Sequence, residues 1–167
     1  MFGYLILAIY YPYIMYLKYQ KKNLCEIYSL LNNKLFGKIA FSKMICVISP
    51  YSGSINPIIT HFDNTMVKCS INETFFIKNP FKSIHALALG NLGELTSGLL
   101  MINYLQKFNQ IGIITQIDIK FHKKARGVIQ AISKIESLRD GIIKTRLYDQ
   151  DKFLVSEVLC KWDIKNK

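Results

Sequence analysis

The longest apolar pattern in the chain covers residues 83 to 105, SIHALALGNLGELTSGLLMINYL. It is apolar nearly all round, which is typical of a helix buried on every side. Gly90, Gly93 and Gly98 each cost such a helix about 1 kcal/mol relative to alanine. Three glycines in one helix predict that another backbone approaches it closely, as when a β-sheet curls around it.

After this helix the hydrophobic period changes to the two-residue alternation of β-strands. In the first strand, one face is predicted to carry Ile113, Thr115, Ile117, Ile119 and Phe121. Further strands are predicted over residues 127–135, 142–148 and 154–164, and shorter β-like segments over 55–77. Four consecutive strands with short connections predict an antiparallel meander. The sequence therefore predicts an α+β domain whose sheet wraps the long helix.

Helical patterns precede this domain. Residues 26–48 carry apolar side chains at helical spacing, interrupted at Gly37, and residues 49–54 have the composition of a loop. We divide the chain into an apolar N-terminal helix (1–24), an amphipathic helix and loop (25–54) and the main domain (55–167).

The apolar N-terminal run, residues 2–17, has two interpretations. It carries no charge and is followed by Lys18, Lys21 and Lys22. A membrane span needs about 20 apolar residues, and this run is slightly shorter and lacks the features of a cleaved signal peptide. Pro12 would kink a helix here. The run is either a membrane anchor, with the lysines on the cytoplasmic side, or a helix docked on the domain or on a partner subunit.

Composition adds little about function. A net charge of +11 is compatible with nucleic acid, anionic lipid or phosphorylated partners, and equally with a lysine-rich surface. No nucleic-acid recognition motif is present, so no nucleic acid is expected. The four cysteines form no C-x-x-C motif and are predicted to be free buried thiols in a reducing compartment. No metal or cofactor is expected.

Glu94 is the residue that packing explains least. It lies mid-helix among leucines, where an ionised carboxylate is costly unless it is paired or hydrogen-bonded. A buried acid in a cleft is a functional candidate; alternatively, Glu94 faces a polar edge beside Asn91 or pairs with a lysine. His85 precedes the helix, where free N–H groups can hold an oxyanion, and Asn79 precedes a proline. Ordinary structural interpretations exist for both: a helix-entry histidine and a turn residue.

Asn79, His85 and Glu94 stand in the pattern N-x5-H-x8-E. This pattern resembles the signature of hotdog-fold thioesterases of the phenylacetyl-CoA thioesterase type, in which an asparagine precedes an H-G-G turn and an acid follows nine residues after the histidine. The segment NPFKSIHALALGNLGELTSG is more closely similar to a hotdog family catalogued only as a domain of unknown function. The resemblance runs from about Tyr28 to the C-terminus. It implies a hotdog fold, with a long central helix wrapped by an antiparallel sheet.

The resemblance also implies roles for individual residues. Glu94 would be the general base or the nucleophile, and the Ala86 N–H would hold the oxyanion. Asn79 would orient the water or the acid, and His85 would shape the turn. Related domains act as homodimers or dimers of dimers with sites at the interface. Coenzyme A phosphates would lie near the neighbouring subunit's basic segment, which contains Lys120, Lys123, Lys124 and Arg126.

The function favoured by this pattern is hydrolysis of an acyl-CoA or acyl-carrier thioester, within fatty acid metabolism and at a membrane-associated or organellar location. A second hypothesis is an inactive hotdog domain that binds acyl chains or lipid at a membrane. The residues Ala86 and Leu87 in place of glycines, and the apolar N-terminus, favour it. A hydratase or dehydratase is a third hypothesis, which the nine-residue spacing fits less well.

Overall fold

A long helix and a six-stranded antiparallel sheet dominate the computed structural model, which describes residues 1–167. The helices are α1 (Phe2–Tyr19), α2 (Leu24–Asn32), α3 (Gly37–Ile48), α4 (Pro50–Gly53) and α5 (Ala86–Gln106). The strands are β1 (Ile58–Phe62), β2 (Met66–Asn72), β3 (Gln110–Phe121), β4 (Val128–Lys134), β5 (Ile142–Tyr148) and β6 (Leu154–Asn166). The strand order is β1-β2-β4-β5-β6-β3.

The sheet wraps α5, and the hydrophobic core lies between them. Leu92, Leu100 and Met101 of α5 are fully buried against apolar side chains from the sheet, such as Ile129 and Ile143. This enclosure explains why α5 is apolar on nearly every side, because most of its residues are buried and only a few positions, such as Leu87 and Ile102, remain exposed. The predicted α+β architecture, with helices preceding a wrapped central helix, is confirmed.

Two of the three glycines in α5 mark close approach of the sheet. A Cβ at Gly90 would lie 2.6 Å from Cδ1 of Ile119, and one at Gly93 would lie 2.6 Å from Cβ of Val158. The carbonyl oxygen of Gly93 also accepts a hydrogen bond from the Thr145 hydroxyl at 3.2 Å. At Gly93 a larger residue would push β6 away from the helix, whereas at Gly90 the flexible end of the Ile119 side chain would have to move.

The predicted meander is wrong for its first strand. β3 pairs with β6 at the far edge of the sheet, and β4 pairs instead with β2 and β5. Residues 122–127 therefore carry the chain across the start of α5, where Ile84 N–H donates to the Ala125 carbonyl oxygen at 2.9 Å. This crossing takes the chain from the β3 edge of the sheet to the position of β4 beside β2.

A β-bulge changes which side chains of β3 face the helix. The β3–β6 register shifts between Ile114 and Gln116. Before the bulge Ile114 packs on the core while Ile113 is 65% exposed; after it Ile117 and Ile119 face the helix. The sequence prediction placed Ile113 and Ile117 on one face because strict alternation has no provision for an extra residue.

The N-terminal helix α1 is docked on α3 through Ile6, Ile14 and Leu17, which are buried. No helix of the chain combines the length and the apolar character that a membrane crossing requires. α2 begins with a capping box: the Asn23 Oδ1 accepts a hydrogen bond from the Glu26 N–H, and the Glu26 carboxylate accepts one from the Asn23 N–H, each at 2.9 Å.

α2 and α3 cover the β1 edge of the sheet, where Ile59 N–H donates to the Ser42 hydroxyl at 2.9 Å. The segment predicted as a loop over 49–54 contains one helical turn, α4, because Pro50 at its first position suits a helix start.

Candidate active site

A cleft of about 270 Å³ opens between α5, α4 and strand β3. Its walls are mostly apolar, and its polar groups come from one face of α5. The lining residues are Tyr51, Leu87, Gly90, Asn91, Glu94, Ile117 and Ile119. Gly90 lies one helical turn before Glu94, and the terminal methyl group of Ile119 packs against it.

Glu94 lies half-buried in this cleft without a partner. Its carboxylate makes no ion pair with any lysine or arginine and accepts no hydrogen bond from the protein. Burial raises the pKa of the Glu94 carboxyl above its ordinary value, because the charged form loses water. The alternative that Glu94 pairs with a lysine is therefore wrong. Glu94 and Asn91 line the same cleft.

Asn91 contributes a second polar group to the same wall. Its side chain is 8% exposed, and its Nδ2 donates to the Tyr51 carbonyl oxygen at 3.1 Å. Its Oδ1 is buried and has no hydrogen-bond partner. Buried polar atoms are nearly always paired, so an orphaned acceptor in a cleft wall is suited to a ligand or water. The sequence signal was its position three residues before Glu94, on the same helix face.

The start of α5 supplies an unpaired donor. His85 is the exposed N-cap, and its Nδ1 accepts a hydrogen bond from Leu87 N–H at 3.1 Å. The Ala86 N–H, one residue earlier, donates to no acceptor in the protein. Free N–H groups at a helix start carry partial positive charge and suit an anion. His85 caps the helix through its Nδ1, and its role in shaping the turn for catalysis stays a prediction.

Leu87 lies between the Glu94 cleft and a second depression beside His85. It is 62% exposed and lines both the Glu94 cleft and an adjoining depression of about 180 Å³ that His85 also lines. Tyr51 and Asn91 are the other residues common to both. The structure thus brings Glu94 and Asn91 together and places His85 on the neighbouring side of Leu87.

Asn79 lies outside both linings. Its Oδ1 accepts from the N–H groups of Phe81 and Ser83 at 3.0 and 3.2 Å, and its Nδ2 donates to the Ser83 hydroxyl at 3.0 Å. Both ends of the Asn79 side-chain amide are therefore hydrogen-bonded to residues of the same turn. A role of Asn79 in orienting water or the acid stays a prediction.

The predicted basic residues line a separate cleft of about 370 Å³ at the crossing segment. Lys123 is paired there with Asp149 at 2.8 Å, which lowers the pKa of the Asp149 carboxyl, and the Arg126 side chain donates to the Lys82 carbonyl oxygen at 3.1 Å. Lys124 is exposed and forms no ion pair, whereas Lys120 belongs to β3. This cleft and the Glu94 cleft share no residue within one chain.

Comparison with known proteins identifies the family of this chain and proteins of similar fold. The model of a family described as "Domain of unknown function (DUF4442)" matches residues 37–164. No curated protein matches the chain.

Among solved structures, the chain is similar to a crystallised protein named APC5556, with a TM-score of 0.73 and 19% identity, over 86% of this chain and 99% of that chain. It is similar to a variant of the thioesterase enzyme SAV0944 of Staphylococcus aureus, with a TM-score of 0.62 and 19% identity, over 70% and 99%. It is also similar to the PaaI protein of E. coli, from the phenylacetic acid degradation operon, with a TM-score of 0.62 and 11% identity, over 72% and 88%. The fold shared with these proteins is the hotdog fold.

Proposed function

This chain belongs to the family described as a domain of unknown function (DUF4442), and from that premise we propose that it hydrolyses acyl thioesters, with acyl-CoA as the substrate class. The observation that carries the proposal is the unpaired Glu94 carboxylate in an apolar cleft. An acyl chain fits an apolar wall, and a desolvated carboxylate is a stronger base than one in water. The similar S. aureus protein is named a thioesterase enzyme.

The proposed chemistry uses Glu94 and Asn91 of this wall together with the Ala86 N–H at the start of α5, which lies outside the lining of the cleft. Ionised Glu94 removes a proton from a water molecule as its oxygen attacks the thioester carbonyl carbon. The carbonyl oxygen becomes an oxyanion, which the free Ala86 N–H stabilises. When the C–S bond breaks, protonated Glu94 returns the proton to the departing thiolate. The products are a carboxylic acid and a free thiol.

A nucleophilic route uses the same atoms in another order. Glu94 attacks the carbonyl carbon directly and expels the thiolate, and water then hydrolyses the mixed anhydride. In either route the Oδ1 of Asn91 accepts a hydrogen bond from the water or from the protonated acid. Single-turnover hydrolysis in ¹⁸O-labelled water tests the nucleophilic route: if water attacks the glutamyl carbon of the anhydride, the label enters Glu94 and the product keeps an unlabelled Glu94 oxygen, which the general-base route never produces.

The proposed active form is a homodimer paired along β3. This twelve-residue strand bonds only to β6, and Ile113 and Phe121 on it are 65% and 49% exposed. A long apolar edge strand pairs readily with another chain. Pairing would bring the basic segment of one subunit towards the Glu94 cleft of the other. The substrate-binding residues proposed for coenzyme A phosphates are Lys123, Lys124 and Arg126, which suit phosphate electrostatically.

The experiment measures hydrolysis of a panel of acyl-CoAs by the full chain and by Glu94→Gln. Loss of a general base lowers kcat by about 100- to 10,000-fold, so the variant should be nearly inactive. Glu136→Gln is the matched control, because Glu136 is an exposed acid outside the cleft and should leave kcat unchanged. Equal activity of Glu94→Gln and wild type would exclude the assigned chemistry.

Leu87 favours a second candidate, a domain that binds acyl groups without turning them over. The resembled thioesterases carry glycine here, whereas this side chain stands in both walls of the site. If it blocks the thioester carbonyl, acyl-CoA should raise the melting temperature of the wild type without being hydrolysed. Leu87→Gly should then gain activity; hydrolysis by the wild type would exclude this candidate.

A further inference from the structure

The outer face of α1 is apolar along its whole length. Its inner face packs on α3, whereas Phe2, Leu5 and Ile9 on the outer face are 63, 62 and 71% exposed, and Tyr16 is 56% exposed. No residue from 2 to 17 carries a charge. An exposed apolar surface of this extent marks a docking surface, since water contact with these side chains is costly.

The loop between α2 and α3 extends this surface. Leu35 and Phe36 are 76 and 47% exposed, and the rings of Phe36 and Phe2 meet edge to face with centroids 5.9 Å apart. The Tyr10 hydroxyl donates to the Leu35 carbonyl oxygen at 2.6 Å, which holds the loop against α1. We define the α1 surface as the outer face of α1 together with Leu35 and Phe36.

The charges around the α1 surface select its partner. Residues 1–62 contain six lysines and a single acidic residue, Glu26. Lys18 and Lys21 at the end of α1 form no ion pair, and Lys34 lies over the Tyr13 ring at 4.9 Å. A second copy of this surface would bring lysines against lysines. An anionic surface with an apolar interior satisfies both the lysines and the exposed side chains.

We propose that the α1 surface docks this protein on anionic phospholipid bilayers, with α1 lying in the plane of the interface. Phe2, Leu5 and Ile9 enter the region between headgroups and acyl chains, where tyrosines such as Tyr16 also partition favourably. Lys18 and Lys21 meet lipid phosphates. The proposal is independent of hydrolysis, because the α1 surface contains no residue of the Glu94 cleft.

Flotation of the full chain with vesicles tests this proposal. The wild type should float with phosphatidylcholine vesicles that contain phosphatidylserine, bind phosphatidylcholine alone far more weakly, and be released by high salt. The double variant Leu5→Asp, Ile9→Asp should lose binding. Phe108→Asp is the control, because Phe108 is 57% exposed after α5, outside the α1 surface, and should bind like the wild type.

A second variant measures the electrostatic part without altering the apolar face. Replacing Lys18, Lys21 and Lys22 by glutamine should weaken binding to anionic vesicles by about 100-fold, about fivefold for each lysine. Glu94→Gln should bind vesicles like the wild type, which separates docking from hydrolysis. Absence of vesicle binding by the wild type would overturn the proposal. So would an oligomer that Leu5→Asp, Ile9→Asp dissociates, since the α1 surface would then be a subunit interface.

Discussion

Glu94 is a residue whose placement costs stability. Its carboxyl group is half-buried without a donor, and burial raises its pKa. An acid with a raised folded-state pKa favours folding when protonated and opposes it when ionised. The cost is therefore absent below the ordinary pKa and develops fully as pH rises through the raised value. Active sites commonly carry such a cost in exchange for a reactive group.

Glu94→Gln should accordingly be more stable than the wild type at about pH 8, and the difference should vanish near about pH 4. Each tenfold change in the folded-state protonation equilibrium corresponds to about 1.4 kcal/mol, reduced here because the group is partly hydrated. Urea unfolding at both pH values measures the difference. A variant that is less stable than the wild type at alkaline pH would mean that the carboxylate has a stabilising partner.

Hydrolysis should depend on pH with the same group in control. The reacting form of Glu94 is the carboxylate, so kcat/KM for an acyl-CoA should rise with pH and level off above the raised pKa. The midpoint should lie above the ordinary glutamate value of 4.5. Residual hydrolysis by Glu94→Gln should lack this midpoint. If kcat/KM of the wild type did not change with pH, Glu94 would be excluded as the group that reacts.

At the scale of elements, α5 meets the sheet unevenly along its length. Gly90 and Gly93 face side chains of β3 and β6, whereas a Cβ at Gly98 would lie 3.5 Å from Glu94 Oε1 and 3.8 Å from Trp162 Cη2. Those are ordinary contacts. The prediction that glycines mark close approach thus describes the first half of α5 and not Gly98.

The two ends of α5 should respond oppositely to alanine. Gly93→Ala should destabilise the fold by about 1–3 kcal/mol because Val158 must move. Gly98→Ala should stabilise it by up to about 1 kcal/mol, because alanine is the better helix former and the space is adequate. Denaturant midpoints of the two variants measure both effects. If both alanine variants were destabilised equally, the sheet would have to be in close contact with α5 at Gly98 as well as at Gly93.

Local sequence patterns predict the elements better than their arrangement. The strand predicted over 142–148 coincides with β5, and the predicted central helix overlaps α5. The position of β3 beside β6 and its bulge after Ile114 depend on pairing between distant segments, which a two-residue period does not encode. In the candidate site, the sequence points to Glu94 because a charge interrupts an apolar helix. The free Oδ1 of Asn91 depends on the distant Tyr51 carbonyl, so no local pattern reveals it.

At the scale of the whole molecule, the sheet has one covered edge and one open edge. α2 and α3 cover β1, whereas β3 is open. Ile113→Asp places a charge on the open edge without touching the Glu94 cleft, because Ile113 is 65% exposed and precedes the bulge. It should weaken the proposed dimer by at least about tenfold and lower hydrolysis in parallel. Sedimentation across a concentration series measures the dissociation; a wild type that sediments as a monomer would contradict the proposal.

The strand order also sets the valency of any membrane attachment. Because β1, beneath α2 and α3, and β3 lie at opposite ends of one sheet, a dimer joined along β3 carries an α1 helix at each outer end. Two weak attachments on one rigid body act together once the first has formed, because the second then occurs at high effective concentration. In a dimer that turns both α1 surfaces towards the same bilayer, residence on it would therefore lengthen steeply as subunits associate.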